Sequence, residues 1–236
     1  MNNWGLKWDT FVRSFVEKGA YEQVLGGLKN TALIALGGLL IGLLIGILIA
    51  VVRLLPMKSP AVTFLKKLSA LYVGFFRGTP MVVQLLLGYY VLFPLLGIKG
   101  VDALIVAIVI FGMNSGAYVS EMMRGGILSV DYGQTEAGRA IGLTYGQTML
   151  KIVIPQAIKN IIPTLGNEFI TLVKETSIVG YIACTDLCVA FRNIGASNYE
   201  FMVPYLVMAA MYIVIIFLLT KLVGAVERRM RKSDVR

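Results

Sequence analysis

Apolar runs of about twenty residues, the length that crosses a bilayer core as a helix, take up most of this chain. They cover Asn30 to Val52, Thr79 to Gly97, Val101 to Met123, Gln156 to Val173 and Met202 to Val223. A shorter apolar piece, Leu68 to Phe76, precedes the second run, and the fourth is unusually polar. Of the 236 residues 57% are hydrophobic and only 15% charged, whereas soluble domains carry about 25% charged residues. Backbone in hydrocarbon must satisfy its own polar groups, so such runs form helices. The expected fold class is an all-α integral membrane protein with five transmembrane helices.

Residue types that are missing remove whole chemistries. There is no histidine, which excludes imidazole relays, His-based triads and His-ligated metals. The two cysteines, Cys184 and Cys188, are too few for a structural zinc site. They lie four apart, where a disulfide across one helical turn would be strained, and are read as small packing residues. No Gly is followed by Lys, so the GxxxxGK[ST] phosphate loop is absent, and any nucleotide chemistry falls to another chain. The net charge of +9 reads as the positive-inside bias of a membrane protein rather than as nucleic-acid binding.

Before the first run, Trp4, Trp8, Phe11, Val12, Phe15 and Val16 recur at helical spacing between Lys7, Asp9, Arg13 and Glu17. That pattern predicts an amphipathic helix lying along the membrane interface. Residues 1–29 are therefore expected to form an interfacial segment, 30–223 the transmembrane domain with a polar loop at 124–155, and 224–236 a basic tail. Asn30 or Thr31 is the expected N-cap of the first span. Gly37, Gly38, Gly42 and Gly46 line one face of it, a small-xxx-small pattern for close helix packing. Arg53 to Lys67 forms a basic connector with Pro56 and Pro60. With the N-terminus outside, fifteen of the 22 Lys and Arg residues fall in inner segments. This favours N-out and C-in, with the loop at 124–155 in the cytoplasm.

That loop reads Glu136-Ala137-Gly138-Arg139-Ala140-Ile141-Gly142, then nine residues, then Ile152-Val153-Ile154-Pro155. The spacing predicts a short helix, a break at Gly142 and a second helix stopped by Pro155. Two such helices make a knob with Ala137, Ala140, Ile141 and Leu143 as contact surface, shaped for a partner's groove. An ordinary structured loop fits the spacing equally well. The stretch Glu136 to Pro155 resembles the EAA motif of bacterial ABC importer permeases, departing from it at Gly138, where the pattern has Ala, and at Ile154, where it has Leu. Three further segments resemble the polar amino acid permease family: Phe76 to Pro80, Asn114 to Tyr118 with Glu121 to Gly126, and Lys174 to Ser177.

The resemblance implies an ABC type I importer permease fold in the bacterial cytoplasmic membrane. It implies two ABC ATPase subunits, a second permease subunit (a copy or a paralogue) and an extracytoplasmic amino-acid-binding protein as partners. No cofactor would be bound by this chain, ATP and Mg belonging to the ATPase. Glu136, Ala137, Gly138, Arg139, Ala140, Gly142 and Pro155 would then couple to the ATPase. The substrate implied is a polar or cationic amino acid, glutamine-like or arginine-, histidine- or lysine-like.

Polar residues inside spans mark a cavity or a partner. Asn114, Tyr118 and Glu121 share one face of the third span, and Asn160, Thr164, Asn167 and Thr171 share one face of the fourth. Two readings stand here: a polar substrate chamber between the stripes, or interhelical hydrogen bonding that only holds the bundle together. Arg77-Gly78-Thr79-Pro80 suits a half-helix start, with Thr79 as N-cap and Pro80 at the first helical position. Arg77 beside it would take a substrate carboxylate, or else anchor the span at headgroups. Glu121, with Asn114 or Asn160, would take the ammonium or a polar side chain, and Glu168 is a weaker candidate because it falls off the polar face. A self-sufficient secondary transporter would use the same residues but needs no glycine-broken knob. A membrane enzyme would need a nucleophile–base pair, and none is evident.

Overall fold

The structure, a computed structural model, describes residues 3–55, 59–98 and 100–231. Pro56 and Lys58 of the expected basic connector, Lys99, and the tail from Lys232 onward lie outside the described residues. The described chain is helical almost throughout. Three helices are long and apolar enough to cross a membrane, or five when each of two bent pairs is one span.

Helix α1 (Trp4–Val12) runs into a π turn (Arg13–Glu17) that ends at Gly19, whose φ of +70° breaks the helix. Its apolar face is pinned by buried Phe11, while Trp4 and Trp8 are exposed. Lys7 Nζ lies 3.0 Å from Glu200 Oε2, and Asn198 donates to Ser14 Oγ. Together these tie α1 and its π turn to the far end of the chain.

Helix α2 (Ala20–Leu54) begins ten residues before the expected start. Asn30 and Thr31 are therefore mid-helix and cap nothing of their own. Asn30 Nδ2 donates to the Thr185 carbonyl at 2.8 Å, and Thr31 Oγ1 accepts from Leu187 N at 3.2 Å. They serve the start of α10 (Leu187–Asn198), whose own N-cap is Asp186. The glycine stripe of α2 meets α6 (Ala103–Leu128) as the spacing predicts. A Cβ on Gly42 would lie 2.7 Å from Ser115 Oγ, and one on Gly46 2.5 Å from Val119 Cγ1. The arrangement is reciprocal, because Gly112 and Gly116 of α6 receive Ile41 and Ile45. Around this seam Ile34, Ala35, Val106, Ala107, Ile110 and Phe111 build the principal core.

The second span departs from expectation. Helix α3 (Pro60–Gly78), capped by Ser59, is a full nineteen residues. It bends by 111° into Met81–Leu95, which comprises α4 (Met81–Leu87), a π turn (Gly88–Leu92) and α5 (Phe93–Leu95). The straight span from Thr79 to Gly97 is thus replaced by a bent pair, because Pro80 offers no N–H and forces Thr79 into extended geometry.

After α6 come α7 (Tyr132–Ala140) and α8 (Tyr145–Thr148), the latter opened by a Thr144/Gln147 capping box. Gly142 between them has φ +87°, so the glycine break is where the spacing puts it. Pro155 does not stop the second helix. The preceding turn widens to π geometry over Met149–Val153, which accommodates the missing N–H. The chain runs on as α9 (Ile154–Glu175) and a 3₁₀ segment (Thr176–Ile182). That run bends by 52° into α10. Last comes α11 (Met202–Arg231), which packs on α9 where Val223 fills the space beside Gly166. None of the most apolar stretch of α11 is buried.

Two predictions follow from this packing. Gly46→Leu should force α2 from α6 and lower stability by about 1–3 kcal/mol, whereas Gly74→Ala, facing open space, should not. Thermal unfolding of the purified assembly in detergent distinguishes them. The hydrogen bond from Lys7 holds the Glu200 carboxyl below its ordinary range. The stability it adds is present above the unfolded-state pKa and fades as pH falls through the lowered one. The anisotropy of Trp4 and Trp8 fluorescence should accordingly drop on acidification through the range below that of an ordinary glutamate, and a Lys7→Met variant should show no such pH dependence.

Candidate functional site

The α3–α4 break strips helical donors from the last carbonyls of α3, which need partners from elsewhere. Gln84, a buried polar residue of α4, supplies them. Its Nε2 lies 2.8 Å from the Phe76 carbonyl oxygen, 2.9 Å from that of Thr79 and 2.9 Å from Thr79 Oγ1. Asn114 Nδ2 in turn donates to Gln84 Oε1 at 2.8 Å and lies 3.4 Å from the Phe76 carbonyl. Thr79 is therefore the C-cap of α3, not the N-cap of the next helix. Its hydroxyl donates back to the Phe75 carbonyl at 2.8 Å, and Pro80 precedes the first turn of α4.

One and two turns further along the same face of α6 stand Tyr118 and Glu121. The carboxylate of Glu121 gathers arginines from three helices. Arg53, in the last turn of α2, bonds Oε1 and also donates to the Ser69 carbonyl of α3 at 3.3 Å. Arg124 gives Oε2 two bonds, from Nε at 3.1 Å and Nη2 at 2.9 Å. Arg77, in the last turn of α3, stands 3.8 Å from Oε2, with its guanidinium 5.6 Å from the centre of the Tyr118 ring. The predicted α6 stripe thus exists as one face, and it looks onto α3 and α4.

The α9 stripe lies elsewhere. Asn160 Nδ2 donates to Ser129 Oγ at 2.9 Å, at the end of α6. Thr164 donates to the Ile161 carbonyl at 2.6 Å and Thr171 to that of Asn167 at 3.1 Å. Asn160, Thr164 and Asn167 are exposed. The face of α9 that meets α6 is a different one, carrying Ala157, Ile161 beside Gly126, and Glu168. Among the described residues the two stripes do not close a chamber within one copy of the chain.

Sequence reasoning missed Gln84, Arg53 and Ser115. Ser115 Oγ donates to Glu168 Oε1 at 2.9 Å, so the carboxyl that falls off the polar stripe is the one buried between α6 and α9. A charged or amide residue within an apolar run was the available signal for Gln84 and Glu168. Arg53 sits where positive-inside reasoning already explains a cation.

In the loop, Glu136, Ala137, Arg139, Ala140, Ile141 and Gly142 are exposed, as is Pro155, while Leu143 is half-buried. Gly138 is buried. A Cβ there would lie 2.7 Å from Thr148 Cγ2 and 3.0 Å from Ile152 Cδ1. The glycine that departs from the EAA pattern is thus where α7 packs against the second loop helix with no room for a side chain.

Residues 38–232 match the model of the binding-protein-dependent transport system inner membrane component. This chain belongs to that family. It is 42% identical over 163 residues to the arginine transport system permease protein ArtQ of Bacillus subtilis (strain 168), covering 69% of this chain and 74% of ArtQ. It is 41% identical over 162 residues to the L-cystine transport system permease protein TcyB of the same strain, covering 68% of each. A solved structure described as an amino acid ABC transporter with histidines superposes with a TM-score of 0.83 at 37% identity, covering 92% of this chain and 97% of that one. The chain is an amino acid ABC permease subunit with the type I permease fold, an inner membrane component, and ATP hydrolysis belongs to a separate chain.

Gln84→Leu should strand the Thr79 carbonyl and leave Asn114 Nδ2 and the Phe76 carbonyl only their long 3.4 Å contact with each other, at about 1–3 kcal/mol for a stranded group. The expected result is a large drop in the unfolding midpoint in detergent. Gln84→Leu combined with Asn114→Leu should lower it further, because Asn114 Nδ2 is the donor left to the Phe76 carbonyl.

Proposed function

We propose that this permease forms the translocation pathway of an ATP-driven importer for a polar or cationic amino acid. It lies in the bacterial cytoplasmic membrane with five spans, N-terminus outside and C-terminus inside. The observation that carries this reading is the exposed, glycine-broken knob of α7 and α8 at the same end of α6 as the arginine-rich polar face. The knob is the surface on which a cytoplasmic ATPase pushes, and α6 and α9 lead from it into the membrane.

Two ATPase subunits carry ATP and Mg, a second permease subunit completes the pathway, and an extracytoplasmic binding protein delivers the substrate. Glu136, Ala137, Gly138, Arg139, Ala140, Gly142 and Pro155 form the coupling surface. Arg77, Thr79, Asn114, Tyr118 and Glu121 form the substrate face on α3 and α6, and Asn160, Thr164 and Asn167 contribute from α9. Because the α9 stripe is exposed within one copy of the chain, it meets the pathway where two permeases pair. The division into interfacial segment 1–29, transmembrane domain 30–223 and basic tail 224–236 belongs to the same reading. The relatives named for arginine and L-cystine transport agree with the substrate class.

The test is ATPase activity of the assembled complex in proteoliposomes with its binding protein, scanned over the amino acids. Stimulation confined to one small group of polar or cationic amino acids is expected. No stimulation by any amino acid in an ATP-competent complex would overturn the substrate class, and uptake by the permease without ATPase would overturn the coupling. Gly138→Leu should push α7 off Thr148, lowering transport at least about tenfold while basal ATP hydrolysis continues.

A further inference from the structure

Where α2, α6 and α9 meet at the loop end of the bundle they leave a groove of about 360 Å³, lined by apolar side chains alone. Helix α2 contributes Ile47, Val51 and Leu54, α6 contributes Ile127, and α9 contributes the face from Ile154 to Leu165. Leu54, Ile127 and Ile154 stand at the ends of their helices nearest the loop at 124–155. Between Ile154 and Leu165 a helix rises about 16 Å, close to half of a hydrocarbon core about 30 Å thick. The groove therefore has the length of an acyl chain in one leaflet.

The charge at its mouth is positive. Lys66 of α3 reaches across to the end of α2, its Nζ 2.7 Å from the carbonyl oxygen of Leu55, the neighbour of Leu54. An ammonium has three donors, and among the described residues no carboxylate pairs with this one. Lys151, three residues before Ile154, is exposed at the same end. The polar stripe of α9, from Asn160 to Thr171, lies roughly a third of a turn around the helix from Ile158 and Leu165. The groove is thus on a flank of α9, away from the face on which two permeases are proposed to pair.

We propose that this groove binds an anionic phospholipid: one acyl chain lies between α2 and α9, and the lipid phosphate meets the Lys66 ammonium. An apolar cleft between spans with cations at headgroup level favours an anionic lipid over a zwitterionic one. Lys151 adds to that preference from the other side of the mouth. The leaflet is the cytoplasmic one in the proposed orientation, and the site depends on no feature of the substrate face.

The experiment uses the permease–ATPase complex in phosphatidylcholine nanodiscs containing a minor share of phosphatidylglycerol. Lipids that stay bound on release are counted by native mass spectrometry. The wild type should retain phosphatidylglycerol in preference to phosphatidylcholine, about one per permease. Lys66→Gln should cut that preference about fivefold, the effect of removing one cation near the surface. Ile158→Trp should fill the groove and abolish retention, whereas Leu71→Trp, at an exposed position of α3 outside the groove, should not. A photo-cross-linking residue in place of Ile158 should form a lipid adduct, and it decides the matter if Ile158→Trp does not assemble. The proposal is overturned if the two lipids are retained equally, or if Lys66→Gln leaves their ratio unchanged within twofold. An adduct at position 158 to the second permease subunit rather than to lipid would overturn it too, since the groove would then be covered by protein.

Discussion

The seam between α2 and α6 is the contact on which the rest of the structure depends. Helices in a bilayer gain little from hiding apolar surface, because lipid is as apolar as they are, so association rests on close van der Waals fit. Here the fit is reciprocal. Gly38, Gly42 and Gly46 receive Phe111, Ser115 and Val119, and Gly112 and Gly116 receive Ile41 and Ile45. Two backbones brought this close fix the rotation of α6 about its own axis. That rotation sends Ser115 toward Glu168 of α9, and Asn114, Tyr118 and Glu121 toward α3 and α4. The same approach lets Arg53, at the end of α2, reach Glu121.

The bent pair α3–α4 shows how a broken helix is kept within an apolar bundle. Pro80 ends one helix and the orphaned carbonyls must be met from inside the protein. Gln84 reaches back across the break to meet them, and Asn114 of α6 holds Gln84 in place. Two residues that read as substrate contacts, Thr79 and Asn114, thereby acquire a structural duty in this conformation. The break also leaves Arg77 in the last turn of α3, at the rim of the arginine cluster and over Tyr118. Backbone satisfaction and site electrostatics are consequences of one proline.

In the loop, the left-handed Gly142 turns the chain and buried Gly138 lets the two helices meet against Thr148 and Ile152. The knob is continuous with α9, because the π turn before Pro155 carries the helix through instead of ending it. A push on the knob therefore acts on the helix that bears Glu168 and the Asn160–Thr171 stripe. Rigid-body rocking of helix groups is the motion such continuity favours.

Helical class, the amphipathic first helix, the α2 glycine face and the Gly142 break were all legible in the sequence, because each depends on residues near one another along the chain. Periodicity, composition and backbone preference are local properties, and they survive folding unchanged. The sequence also placed Asn114, Tyr118 and Glu121 on one face, since that needs only helical geometry. What that face meets was decided by tertiary structure alone. Asn30 and Thr31 look like an N-cap yet serve α10, 155 residues away. Arg53 reads as one more inner-side cation of the basic connector yet occupies Glu121, and Gln84, an amide in an apolar run, closes a helix break. A side chain's hydrogen-bonding capacity is written in its type, but its partner is set by how closely the helices pack.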